Sequence, residues 1–323
     1  MEFRLDEGQL GLQETVARFC ADRFPLDAVT DREGKATDPA MWSGLGDLGL
    51  LGILEAGSGL GVVEAAIAFE QLGSHLAPGP VLWTVLAAPL VPGAGSGTQL
   101  VVGVDAGAVL DGSVDVAHAA EADVLLVVGD DAVVAHRTVE RDPPTPLEAF
   151  DPLTPVGRFT GLGAGTPIGD STDAAKLRLR GTVLAAAMQV GIGTRALEVA
   201  RAYALERHQF GAPIGSFQAV KHLLADMYVR SSIAQSATYA AAAVLQDPGR
   251  DDPRRSAAGA KLLAGEASIA NAGAAIQVLG GMGFTWDMLP NHLLKRAWVL
   301  EHEFGDVEQH EAQLGATFAV AAP

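Results

Sequence analysis

Apolar positions keep a helical period over the first part of the chain, give way to short β-branched runs in the middle, and regain the helical period from Asp173 onward. Leu12, Val16, Phe19 and Cys20 fall on one face of a predicted helix over 10–24, which Pro25 closes. A short helix is predicted over 41–51. Another, over 61–72, has Val62, Val63, Ala66, Ile67 and Phe69 as its apolar residues and Pro78 and Pro80 beyond its end. Apolar runs at 100–104, 124–128 and 132–136, separated by Gly-Asp and Asp-Asp turns, predict a small β region. The prolines and glycines of 141–170 predict turns and a linker.

Beyond that linker, helices are predicted over 173–207, 216–245, 253–279 and 290–303, with Ser216 and Asp252 as N-caps and Pro253 at a first helical position. Long helices joined by short loops make an antiparallel four-helix bundle. The expected organisation is an N-terminal helical domain over 1–95, a small middle β domain over 96–170 and a C-terminal helical bundle over 171–323.

Composition narrows the function. Thirty-nine acidic against 22 basic side chains leave a net charge of -17, which repels nucleic-acid backbones and anionic membrane surfaces. The single cysteine, Cys20, excludes an internal disulfide and is expected to be buried. The N-terminus lacks the basic run and apolar stretch of a signal peptide, and no span of about 18 uninterrupted apolar residues appears, so a soluble cytoplasmic protein is expected. No metal site is expected.

Two segments between the later helices carry candidate chemistry. In Arg207-His-Gln-Phe-Gly-Ala-Pro-Ile-Gly-Ser-Phe-Gln218, an arginine fork, a glycine loop and a helix N-terminus lie together, a combination suited to a pyrophosphate. Read singly, they are also ordinary dipole compensation and an ordinary turn. In Gln277-Val-Leu-Gly-Gly-Met-Gly-Phe284, three glycines in four positions follow a glutamine amide. They suit a helix cap, or a backbone laid against a flat or anionic ligand. Neither segment is a Rossmann or P-loop fingerprint.

Taken together, these two segments with Leu224-Ala-Asp-Met227 closely resemble the C-terminal half of the acyl-CoA dehydrogenase family. Leu48-Gly-Leu-Leu-Gly-Ile53, Glu70-Gln-Leu-Gly73 and Leu76-Ala-Pro78 are similar to its N-terminal helical domain. The resemblance implies a helix–β–helix fold and FAD at a subunit interface. Arg207 and Gln218 would lie on the FAD pyrophosphate and adenine side with Phe210 beside them, and Gln277 to Gly281, including Gly280, would touch FAD from a neighbouring subunit. It further implies an acyl-CoA substrate, α,β-dehydrogenation to a trans-2-enoyl-CoA, and an electron-transfer acceptor.

The catalytic base departs from the family pattern. The stretch Leu300-Glu-His-Glu-Phe-Gly-Asp306 places Phe304 where the family has a glutamate before glycine, and the alternative base position falls at Gly181. Neither residue takes a proton. Glu301, Glu303 and Asp306 are nearby substitutes, and a solvated helix end is their plainer reading. The family's Thr-Glu-Pro and Trp-x-Thr-type flavin contacts have no match in the shortened β region. Trp83, Trp286 and Trp298 lie outside it and are expected in the core or at an interface.

A shortened chain with FAD-type loops but no base resembles the small subunits of heteromeric α2β2 acyl-CoA dehydrogenases of bacterial steroid and sterol degradation. That implies a non-identical partner carrying the base and a ring-bearing acyl-CoA. The alternatives are a self-sufficient homomer using Glu301, Glu303 or Asp306, or a non-catalytic assembly subunit.

Overall fold

A computed structural model describes residues 5–319. Four helices come first: α1 (Glu7–Arg23), α2 (Pro39–Asp47), α3 (Val62–Ser74) and α4 (Val81–Ala87). Seven strands follow: β1 (Val101–Asp105), β2 (Val114–Ala117), β3 (Val124–Val128), β4 (Ala132–Arg137), β5 (Thr145–Leu147), β6 (Val156–Phe159) and β7 (Thr166–Asp170). The long helix α5 (Ser171–Glu206) leads through a two-stranded hairpin, β8 (His208–Gln209) and β9 (Ala212–Pro213), into α6 (Gln218–Gln246). Then come α7 (Pro253–Leu279), α8 (Leu289–His302) and α9 (Val307–Ala319). The order of helices, strands and helices matches the sequence expectation.

These elements form two compact units that interleave along the chain. One comprises Arg32–Ala65 and Pro78–Gly181. Its four-stranded sheet runs β1-β3-β4-β7, with β1 parallel to β3 and the other pairs antiparallel, and a three-stranded antiparallel sheet runs β2-β6-β5. Val102, Val114, Val116, Leu125, Phe159 and Leu162 build the core. Trp83 is buried with its ring flat against Gly103 of β1, where a Cβ would come within 2.7 Å of the ring atom Cδ2. It is a core residue, as expected.

The segment 141–170 is not a linker, because β5, β6 and β7 lie in it. Pro146 and Pro167 disguised two of those strands; both β5 and β7 are edge strands, where a residue without an N–H is tolerated. α4 and β2 were also not anticipated from the pattern.

The other unit holds α1, the end of α3, α5 from Thr182 onward, and α6 to α9. Cys20 is fully buried here, and burial pushes its thiol far above the ordinary range. α5 and the run Pro253–Phe284 are long and apolar enough by composition to cross a membrane, but 72% and 50% of those windows are buried within the fold. Asp252 caps α7 as expected, accepting from the Arg254 and Arg255 amides.

Glu70 of α3 enters this unit as a buried carboxyl, accepting from the Tyr239 hydroxyl at 2.6 Å and the Gln235 amide at 2.8 Å. Desolvation raises it above its ordinary 4.5, and the two hydrogen bonds pull the other way. The folded state therefore binds this proton more tightly than the unfolded chain. Its stabilising effect is complete below pH 4.5 and is lost as the pH rises through the raised value. Urea unfolding at about pH 5 and about pH 8 should show lower stability at the higher pH, and Glu70→Gln should flatten that slope. An undiminished slope in the variant would assign it to other groups.

Candidate functional site

α5 ends at Glu206 and the chain turns back through a two-residue hairpin whose central residues, Phe210 and Gly211, both have positive φ (52° and 80°). For phenylalanine that conformation costs about 1 kcal/mol or more. Phe210 is nevertheless 94% exposed, with Phe217 edge-on at 6.2 Å. The hairpin closes through the Ile214 amide, which donates to Arg207 O at 2.8 Å.

Ser216 does not cap α6. Its hydroxyl donates to Pro213 O within the turn, and Phe217 takes the N-cap position without a side-chain bond. The expected cap fails because this serine is consumed locally. As a result, among the described residues no side chain caps the start of α6, where Gln218 is exposed. Arg207 is exposed as well, and among the described residues its guanidinium has no ion-pair partner.

The second segment closes α7. Gly280 takes the C-cap position at φ 64°, and Gly283 is buried where any Cβ would overlap the Ile276 carbonyl. Asn291 pins the loop by donating to Gly283 O at 2.6 Å and Thr285 O at 2.8 Å. Gly280 and Gly281 face open space, and Gln277 is exposed between buried neighbours.

The bundle brings these two segments to one end of the same chain, so Gln277 to Gly281, expected to reach the cofactor from a neighbouring subunit, stand on the same side as Arg207 and Gln218. Gly193 of α5 abuts Ala267 and Ser268 of α7, and Gln189 lies by Gly265, so α5 and α7 run parallel. Both C-termini and the N-terminus of α6 therefore share an end. Alongside the hairpin, a groove of about 380 Å³ is lined by Leu197, Arg201, Leu205, Gly215, Lys221 and Tyr228, two of them cationic. An unpaired arginine fork, uncapped helix N–H groups, two side-chain amides and two glycines open to solvent fit the pyrophosphate and adenine half of FAD.

The base positions lie elsewhere. Gly181 is buried within α5 and carries no acid. In the turn after α8, Phe304 and Gly305 have φ of 60° and 108°. Asp306 is committed to capping α9: it accepts from the Gln309 amide at 2.9 Å while its own amide donates to Gln309 Oε1. Glu301 and Glu303 are half-buried rather than fully solvated. Both lie near the buried amine of Lys261, which donates to the Leu300 and Glu301 carbonyls at 2.8 and 2.9 Å. Lys261 precedes Gln277 on α7 by 16 residues, so this turn sits about 24 Å along the helix from the FAD-type end. A single chain does not bring the two together.

The acidic stretch after this turn is the start of α9, with Glu308 and Glu311 exposed and His310 buried. Trp286 and Trp298 are partly exposed, and the Lys295 ammonium stands 2.9 Å from the Trp286 ring centroid. Sequence reasoning passed over Lys261. In an alanine- and leucine-rich helix, a lone lysine carries no signal of burial.

Comparison with known proteins identifies the class. Residues 178–318 match the family described as Acyl-CoA dehydrogenase, C-terminal domain, and residues 6–99 match Acyl-CoA dehydrogenase, N-terminal domain. The chain is 31% identical over 296 residues to the acyl-CoA dehydrogenase IpdE2 of Mycolicibacterium smegmatis, spanning 88% of this chain and 91% of that one. A chain of the ChsE4-ChsE5 complex from Mycobacterium tuberculosis has a TM-score of 0.86 at 25% identity, with both chains covered in full. A chain of the steroid ACAD Tcur3481-Tcur3483 shares the fold with a TM-score of 0.83 at 22% identity, over 98% of each chain. The chain belongs to the acyl-CoA dehydrogenase family, whose members use FAD.

Proposed function

We propose that this chain is the FAD-holding half of a two-chain acyl-CoA dehydrogenase whose non-identical partner supplies the catalytic base. The observation that carries this reading is Phe304, an apolar side chain at the family's base position, on a turn about 24 Å along α7 from the FAD-type loops. A complete site then needs a second chain, and one with a carboxylate that this chain lacks. ChsE4-ChsE5, by its name a complex of two chains, supports the heteromeric reading, and the steroid ACAD supports a ring-bearing acyl-CoA as substrate.

In this assembly Arg207 neutralises a pyrophosphate charge, the uncapped start of α6 adds oriented N–H groups, and Gln218 binds beside them. Gln277, Gly280 and Gly281 let a second face of the cofactor lie against backbone, with Phe210 excluding water at the edge. With a base on the partner taking the α-proton, FAD held by Arg207, Gln218, Gln277, Gly280 and Gly281 would supply the acceptor for the β-hydride, and the product would be the 2-enoyl thioester. The homomeric alternative is disfavoured because Asp306 is used as a cap and Glu301 and Glu303 lie beside the Lys261 cation.

Co-expression with a second acyl-CoA dehydrogenase chain from the same organism that carries a carboxylate at the base position should yield a stable complex containing flavin, with acyl-CoA-dependent dye reduction that the lone chain lacks. Flavin and full turnover in the lone chain would overturn the reading.

A further inference from the structure

Within the unit made of Arg32–Ala65 and Pro78–Gly181, a cleft of about 770 Å³ opens at one end of the four-stranded sheet. It lies between the chain after α4, the start of β3, the end of β4 and β7, and its size suits a small organic molecule. Leu90, Val91, Val124 and Ile168 give it an apolar wall, and His136 and Arg141 give it a polar one.

Arg141 is half-buried. Its guanidinium donates from Nη2 to His136 Nδ1 at 2.8 Å and from Nη1 to Gly161 O at 3.2 Å, which leaves three of its five N–H groups. Among the described residues it has no carboxylate partner, in a chain with 39 acidic side chains. Because arginine only donates, His136 Nδ1 accepts and the imidazole proton sits on Nε2, a second donor. The ring is held in place: His136 is 5% exposed, and a Cβ on Gly165, just before β7, would stand 2.6 Å from its Cε1. Burial first, and then the Arg141 charge, lower its pKa below the ordinary 6.5, so the ring is neutral at neutral pH. The other charges on the lining, Arg137 and Glu140, are exposed and offset each other at 3.8 Å.

The lining therefore carries one uncompensated positive charge. One charge and an added N–H donor, facing an apolar wall, match a single carboxylate with an apolar body. A phosphate monoester brings close to two negative charges and fits the lining less well.

We propose that this cleft binds a monocarboxylic acid with an apolar chain or ring, its carboxylate on Arg141 with His136 as second donor and its body against Leu90, Val91, Val124 and Ile168. No bond is made or broken. The proposal is independent of the flavin reading, because Arg207, Gln218 and Gln277 all belong to the other unit.

The test titrates the 323-residue chain with sodium octanoate, 1-octanol and octyl phosphate by isothermal calorimetry. Octanoate should bind one-to-one with a Kd below about 1 mM, and the alcohol and the phosphate ester at least about tenfold more weakly. Arg141→Ala should weaken octanoate at least about tenfold while leaving 1-octanol within about twofold, and Arg207→Ala should change neither. Absence of octanoate binding at about 5 mM overturns the proposal, as does equal affinity for acid and alcohol. Tighter binding of octyl phosphate overturns the assignment of a carboxylate. Octanoate binding that survives Arg141→Ala, or is lost in Arg207→Ala, overturns the site.

If Arg141→Ala does not fold, the unmodified chain decides. Saturating octanoate should slow amide hydrogen exchange over residues 164–168 at least about threefold and leave 277–281 unchanged. Exchange over 164–168 that the acid does not alter overturns the proposal.

Discussion

Gly191→Ala should destabilise the bundle unit by about 3 kcal/mol, the upper part of the range for overpacked cores. α3 and α5 cross with a glycine on each side. A Cβ on Gly191 would overlap the Glu70 carbonyl oxygen and stand 2.7 Å from Ser74 N and 2.9 Å from Glu70 C. A Cβ on Gly73 would overlap Met188 O and stand 2.6 Å from Met188 Cα. Every one of these neighbours is backbone, so no side chain can rotate away and the helices themselves must separate. Separation would pull Glu70 from Tyr239 and Gln235, leaving a buried carboxyl short of partners. Gly259→Ala on α7 is the control. Nothing lies within 4 Å of its added Cβ, so the alanine should stabilise by roughly 0.5–1 kcal/mol through helix propensity alone. Urea unfolding followed by helical circular dichroism separates the two. A loss below about 1 kcal/mol for Gly191→Ala would mean that the crossing yields more easily than close packing implies.

The crossing shows which parts of this fold were legible in the sequence. Long helices could be read because each buries a wide apolar face, and α5, α6, α7 and α8 lie within a few residues of their predicted ranges. Gly73 and Gly191 gave no local signal, because a helical glycine selected for close approach looks like any other until the facing helix is known. The β region was half legible. β1, β3 and β4 are apolar runs, whereas β5, β6 and β7 are short, carry proline or glycine, and are strands only because a neighbouring strand supplies the ladder. The two FAD-type loops were picked out by their residue pattern, and the fold carries both to one end of the bundle. Ser216 was misread because two local acceptor patterns competed and the turn won. Lys261 was invisible, its burial being decided by α8 returning across α7 some forty residues later.

Arg207→Ala in the co-expressed complex should weaken FAD retention by roughly 30–150-fold, the equivalent of the 2–3 kcal/mol of a charge-assisted pair. The guanidinium is exposed, unpaired among the described residues, and carried on a turn closed by the Ile214 amide bond to its own carbonyl. It is therefore held in place by backbone and has no internal partner to lose. Removing it should leave the flavin-free protein as stable as before, to within about 0.5 kcal/mol, as for other exposed substitutions. Lysine should recover only part of the affinity, because a point charge cannot reproduce the two parallel bonds of the fork. Phe210→Ala is the useful contrast. It removes apolar cover but no charge, so its effect should be smaller and insensitive to salt, whereas the arginine's contribution should shrink as ionic strength rises. FAD titration of the apo complex, read by flavin fluorescence at low and high salt, resolves all three variants. Equal losses for Arg207→Ala and Phe210→Ala, or a salt-independent loss for the arginine variant, would show that Arg207 supports the loop and does not bind the pyrophosphate.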